Sequence, residues 1–383
     1  MDSRNFVITI AVLLTVSVAV LVYFVVPDVR EGTILRLAER ALTKTDPQNA
    51  ERLYDKALKL NPENREALIG KALAIFMRAR LSYDNAVVEE FTKLAETLLS
   101  KDDSAEAWRL IGLTRSLQQK YDEAIEAYNN ALARDPNNPA YLAEQGHVYD
   151  LKGDNKKAVE LYRRSFEIKP SDFAALQLGL SLVHEKKNKE ANVIFEELVR
   201  KSEDKYVVAQ AADMLGASRL RKGNFAEAES FFKKSLVAWP DYPDALANYG
   251  FFFVVMKNYP KAEELFTQAL KMEPANIRAW QYLGMLRTFE KKYDEAESAF
   301  QKGIAELGND PTVMSHFAER MATLRYELSK VKALQGATKD ALKFLQEAIL
   351  LNPSLKTVAA QESRFMTVFD NIKNNPEFLK IIK

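Results

Sequence analysis

The chain has 383 residues, and 54 Lys plus Arg against 53 Asp plus Glu give a net charge of +1, so no basic excess exists to hold nucleic acid or an anionic membrane surface. The absence of Cys excludes disulfides, zinc ribbons, iron–sulfur clusters and thiol nucleophiles. Only 13 Gly and 13 Pro argue against an all-β or low-complexity chain.

The first element is residues 6–26, FVITIAVLLTVSVAVLVYFVV, with no charge, Gly or Pro. A helix rising about 1.5 Å per residue over this stretch spans roughly 30 Å, the hydrocarbon thickness of a bilayer. The apolar run is longer than the core of a signal peptide, and no small-x-small cleavage site follows it before Pro27. Residues 1–27 are therefore expected to be an uncleaved single-pass membrane anchor. Arg4 lies on its short side and Arg30, Arg36, Arg40 and Lys44 on its long side. Counting Lys and Arg alone leans toward the long side facing the cytoplasm.

Beyond the anchor the chain repeats itself. Gly112, Gly146, Gly179, Gly216, Gly250 and Gly284 are separated by 34, 33, 37, 34 and 34 residues. Ala124, Ala158, Ala191, Ala228, Ala262 and Ala296 keep the same steps, as do Tyr128, Tyr162, Phe195, Phe232, Phe266 and Phe300. The small residues let two helices approach, and the aromatic one turn after each Ala fills the remaining space on the same face. Pro136, Pro170, Pro240 and Pro274 prevent the second helix from continuing. One such helical pair cannot bury its apolar side alone, so the units stack and share a core.

With Trp108, Ile111, Gly112, Ala124, Tyr128 and Pro136 at their spacing in residues 107–138, and Trp280, Leu283, Gly284, Ala296 and Phe300 in residues 279–300, the chain resembles the tetratricopeptide repeat (TPR) family. Arg115 and Arg287 stand where that family usually has Tyr. The resemblance implies an all-α fold, a right-handed TPR superhelix (an α-solenoid) with a concave groove, here preceded by one transmembrane helix. Residues 28–355 are expected to hold about nine hairpins: 31–64, 65–104, 105–138, 139–171, 172–208, 209–242, 243–276, 277–310 and 322–355, with 311–321 inserted before the last. Residues 356–383 are expected to cap the array, with Phe369, Ile372, Phe378 and Ile381 covering its open end.

Chemistry is sparse. The three histidines, His147, His184 and His316, have no partner at metal-binding spacing. No phosphate-binding loop and no dinucleotide fingerprint occurs. The paired carboxylates of YDEAIEA and YDEAESAF recur on helices with Lys nearby and read as solvated surface. No catalytic residue, metal site, cofactor or small-molecule substrate is expected, and the chain is not expected to be an enzyme.

The stretch GFFFVVM, Gly250 to Met256, is too apolar for a two-sided helix and too short for a second membrane span. In the family's register Phe253 is expected to point inward and Phe252 toward the neighbouring unit. Phe251, Val254 and Val255 then fall on the groove face, joined by Met285 and Phe289 from the next unit and by Leu220, Leu180 and Val183 from the two before. Asp213, Arg221, Asp244 and Arg278 are expected to rim this strip. An apolar strip of this kind suits an apolar peptide or an amphipathic helix. The expected function is a membrane-tethered scaffold that binds a protein partner, with a chaperone-like or assembly subunit of a secretion or envelope-biogenesis machine as the alternative.

Overall fold

The computed structural model describes residues 27–383 apart from 83, 307–310 and 366. The expected anchor at 6–26 lies outside the described residues. Among the described residues no helix is long and apolar enough to cross a membrane.

The described chain is helical, without strands. Two compact units, residues 1–169 and 170–383, divide it. In the first unit the helices are α1 (Pro27–Thr43), α2 (Pro47–Leu60), α3 (Arg65–Ser82), α4 (Asn85–Lys101), α5 (Ala105–Leu117), α6 (Tyr121–Arg134), α7 (Pro139–Lys152) and α8 (Asn155–Ile168). The second holds α9 (Asp172–His184), α10 (Asn188–Lys201), α11 (Lys205–Arg221), α12 (Phe225–Ala238), α13 (Pro243–Val255), α14 (Tyr259–Met272), α15 (Ile277–Phe289), α16 (Tyr293–Glu306), α17 (Pro311–Leu334) and α18 (Thr338–Leu351). It ends with α19 (Leu355–Phe365), a 3-10 turn (Thr367–Phe369) and α20 (Pro376–Ile382). Consecutive helices pair as hairpins, and within each unit the first helix of one hairpin also touches the first helix of the next. Residues 311–321, expected as an insertion before the last hairpin, form the opening turns of the 24-residue α17. No Gly or Pro interrupts 312–334, so nothing stops the helix from running through.

Helix starts follow from capping chemistry. Ser104, Asn138, Asp204 and Asn276 each accept a backbone N–H of the helix they open. Inside a hairpin the turn has one repeated device. The residue seven after the ladder glycine is left-handed: Gln119, Lys186, Lys257 and Lys291 at φ 59°, 60°, 58° and 61°, and Gly153 and Gly223 at 86° and 77°. That conformation closes the first helix and starts the second two residues later.

The glycine ladder is an approach of backbone to ring. A Cβ at Gly250 would stand 2.5 Å from the Phe266 ring, and one at Gly284 the same distance from Phe300. At Gly146 the distance to Tyr162 is 3.3 Å. Ala124, Ala158, Ala191, Ala228, Ala262 and Ala296 are all fully buried, as are Phe195, Phe232, Phe266 and Phe300. At the C-terminal end Phe369, Ile372 and Phe378 are buried against Tyr326, Ala341, Leu345 and Ala348, with Ile381 half-buried beside them.

Candidate functional site

The site is built on the first helices of the hairpins in residues 172–306. Phe251 is half-buried and stacks on Tyr282 of the next hairpin with ring centroids 4.5 Å apart. Val255 is 41% and Phe289 58% exposed, each four residues after a half-buried apolar residue, Phe251 and Met285. The spacing of four puts each pair on one helix face, and α13 and α15 are in contact. The four side chains thus share one partly open strip. Leu220 is half-buried against the Phe232–Phe252 cluster, and Leu180 and Val183 are half-buried on α9. Met256, 48% exposed at the end of the strip, was not among the expected site residues. Its signal was visible, as the sixth apolar residue of the run.

Three expectations are corrected. Val254 does not line the strip: it is 5% exposed and packs with Ala262, Phe266 and Leu286. It follows Gly250 by four residues, so it shares the face that meets the second helix, and Leu286 closes over it from α15. Phe253 does not fill the inward position. It is half-buried, 4.8 Å from the Tyr249 ring, while Phe252 is buried and packs edge-on against Phe232 of the preceding hairpin. Asp213 is not a rim residue but is fully buried.

Asp213 belongs to a polar ladder on the same face. Asn248 Nδ2 donates to both carboxylate oxygens of Asp213, at 3.0 and 2.8 Å. The Tyr282 hydroxyl donates to Asn248 Oδ1 at 3.4 Å. Asp244 accepts from Asn276 Nδ2 at 3.0 Å and faces Arg278 at 3.4 Å. Burial pushes the Asp213 carboxyl up to about 6, against the opposing pull of Arg278 and the Asn248 hydrogen bond. The ladder joins three successive hairpins, α11, α13 and α15, through side chains alone. Arg109 does the same in the first unit, meeting Glu144 in a bidentate pair at 2.8 and 2.6 Å.

The arginines at the family's Tyr position also join hairpins. Arg219 reaches Glu196 of the preceding hairpin at 2.5 Å and Glu227 of its own at 2.7 Å. Arg287 pairs with Glu263 of the preceding hairpin and with Glu295 of its own at 2.9 Å. Arg115 repeats this with Glu96 and Glu123. Among the described residues no three His, Cys, Asp or Glu stand together as metal ligands would. His147 and His184 are exposed and lie in different units. What the arrangement offers chemically is contact: an open apolar strip beside a closed polar ladder.

Residues 35–103, 105–138, 140–172 and 256–315 match models of the tetratricopeptide repeat family. The photosystem I assembly protein Ycf3 of Rippkaea orientalis is 27% identical over 160 residues, 39% of this chain and 90% of that protein. The BBSome complex member BBS4 of Bos taurus is 23% identical over 302 residues, 70% of this chain and 55% of that protein. Tetratricopeptide repeat protein 37 of Xenopus laevis is 22% identical over 312 residues, which span only 20% of its length. Human IFIT1, solved as a dimer with m7Gppp-AAAA, superposes with a TM-score of 0.55 at 18% identity over 92% of this chain and 88% of that one. A chain of the APC/C hetero-tetramer Cut9–Hcn1 gives 0.55 at 15% identity over 73% of this chain and 55% of that chain. At these identities the structural likeness is one of fold.

Proposed function

This chain is a tetratricopeptide-repeat protein, and from that premise we propose that it is a non-enzymatic scaffold, held at a membrane by residues 6–26, that binds an apolar or amphipathic segment of a partner protein on the first-helix face of residues 172–306. The observation that carries the reading is the pair of exposed side chains, Val255 and Phe289, each backed by a half-buried one, Phe251 and Met285, on touching helices. Exposed apolar area organised this way is the usual mark of an interaction site, whereas singly scattered apolar residues need no explanation. The anchor rests on the length and purity of the 6–26 stretch.

The test is the double change Phe251→Ser with Phe289→Ser in the full chain, purified from detergent-extracted membranes. The partner recovered with the unchanged chain should be lost while the melting temperature stays within a few degrees. Unfolding, or an unchanged partner, would show these side chains to be core. For the anchor, alkaline carbonate should leave the full chain in the membrane pellet and release a chain beginning at residue 27. Release of both would overturn it.

A second reading, an assembly factor that handles several clients, is favoured by the likeness to Ycf3, which this chain covers over 90% of its length. One stoichiometric partner supports the scaffold. Many unrelated unfolded sequences support the assembly factor.

A further inference from the structure

We propose that the edge formed by the hairpin turns after α9, α11, α13 and α15 docks an acidic amphipathic peptide segment, whose carboxylates meet the turn cations while its apolar side chains enter the strip of Phe251, Val255 and Phe289. This rests on the reading of that strip as a binding face and adds the charge of what binds there.

The turns share one register position, so their side chains line one edge of the hairpins. That edge carries Lys186, Lys187, Arg221, Lys222, Lys257 and Lys291, all exposed. None of these six makes an ion pair among the described residues. Three carboxylates of the same hairpins are engaged elsewhere. Glu227 is held by Arg219 at 2.7 Å, and Glu290 and Glu295 by Arg287 at 2.7 and 2.9 Å. The arginine staples therefore hold these three acids away from the six cations, and the α9 turn itself carries one acid, Glu185, against Lys186 and Lys187. In the first unit two turn lysines are paired, as Lys292 is with Glu290 at 3.4 Å in the second. Lys120 pairs with Glu123 at 3.5 Å and Lys152 with Asp122 at 2.5 Å. The six exposed cations thus lie in residues 172–306, where the apolar strip also lies.

Like charges in a row repel one another, and a partner of opposite sign relieves that repulsion while steering its own approach. Charge complementarity selects an acidic occupant. The shape of the strip selects a peptide over a bilayer. From Val255 and Phe289 at the helix ends, the apolar side chains run one turn back along α13 and α15 to Phe251, stacked on Tyr282, and Met285. Side chains must reach between the helices to meet them, which a peptide does and a flat lipid surface does not.

The experiment uses the full chain in nanodiscs and three labelled synthetic peptides read by fluorescence anisotropy. One has Leu at i, i+3, i+4 and i+7 with Glu between, one has Lys in place of Glu, and one has Gln. The Glu peptide should bind saturably, about tenfold or more tighter than the Lys peptide, and more weakly as salt is raised. The triple change Lys222→Glu, Lys257→Glu, Lys291→Glu should reduce Glu-peptide binding about tenfold or more while leaving Gln-peptide binding unchanged. Equal binding of the Glu and Lys peptides, or an unaffected triple variant, would overturn the proposal and leave the apolar-strip reading intact. Loss of Gln-peptide binding in the Phe251→Ser, Phe289→Ser chain belongs to that earlier reading. Displacement of the Glu peptide by nanodiscs with anionic headgroups, but not by neutral ones, would assign the edge to lipid and overturn the peptide.

Discussion

At the scale of single residues, two positions separate space from charge. A methyl group at Gly250 meets the fully buried Phe266 ring at 2.5 Å, and one at Gly146 meets Tyr162 at 3.3 Å. Replacing a helical Gly by Ala gains about 1 kcal/mol of helix propensity, whereas overpacking costs about 1–3 kcal/mol. Gly250→Ala should therefore lower stability, and Gly146→Ala should be neutral or stabilising, in denaturant unfolding of the two variants. The same sign for both would mean that the ladder glycines are not there for ring clearance. Asp213 concerns charge. Its carboxyl is raised from 3.8 to about 6 in the folded chain. A group whose folded value is raised contributes stability below its unfolded value and loses it as pH rises through the folded one. The difference between Asp213→Asn and the unchanged chain should then shift in favour of the variant as pH rises from about 4 to about 6, by roughly 3 kcal/mol at most for a two-unit shift. Parallel melting-temperature profiles for the two chains would rule this out.

At the scale of the element, the hairpin turn is the unit that repeats with least regard to residue type. A left-handed residue follows every first helix from α5 to α15, yet Gly supplies it only at 153 and 223. For a residue with a side chain that conformation costs about 1–2 kcal/mol. Lys291→Gly removes the strain but adds freedom to the unfolded chain, so the net gain should be about 0.5–1 kcal/mol. A melting temperature that falls would show that the Lys291 side chain holds the turn in some other way. The arginines at 115, 219 and 287 act on elements too, since each binds carboxylates on the second helices of two consecutive hairpins.

At the scale of the whole molecule, the described chain is a series of hairpins in two units, and within each unit a hairpin completes the core of its neighbours. An array of that kind leaves its last hairpin half-covered unless something closes it. Phe369 and Phe378, both fully buried with ring centroids 5.3 Å apart, do so for α17 and α18. The Tyr326 hydroxyl donates to Glu362 of α19 at 2.8 Å and adds a polar tie to the same end. Phe378→Ala should cost about 3–5 kcal/mol and act locally. Hydrogen exchange should accelerate in α17–α20 while amides of α5 and α6 keep their protection. Uniform acceleration along the chain would mean that the array unfolds as one cooperative body.

The sequence by itself determined the hairpins, their 34-residue register and the pairing of each ladder glycine with an aromatic ring. Those follow from contacts sixteen residues apart, inside one hairpin, where helical periodicity fixes which side chains meet. Only the tertiary structure decided what is covered. Val254 and Val255 are adjacent, chemically identical residues, yet one is 5% and the other 41% exposed, because Val254 packs in a cluster with Ala262 and Phe266 of its own hairpin and Leu286 of the next. Asp213 gave no sign of burial in its own helix; Asn248 of the next hairpin and the polar ladder beside it enclose it. Arg115 and Arg287, at the family's Tyr position, tie hairpins together because carboxylates nineteen and twenty-four residues earlier come within reach only in the packed array. Residues 311–321 have no ladder to announce them, and their membership of α17 emerges from the uninterrupted helix. A repeat records its own fold in every period, whereas exposure and free charge at its surface depend on the neighbouring hairpin, which local periodicity does not encode.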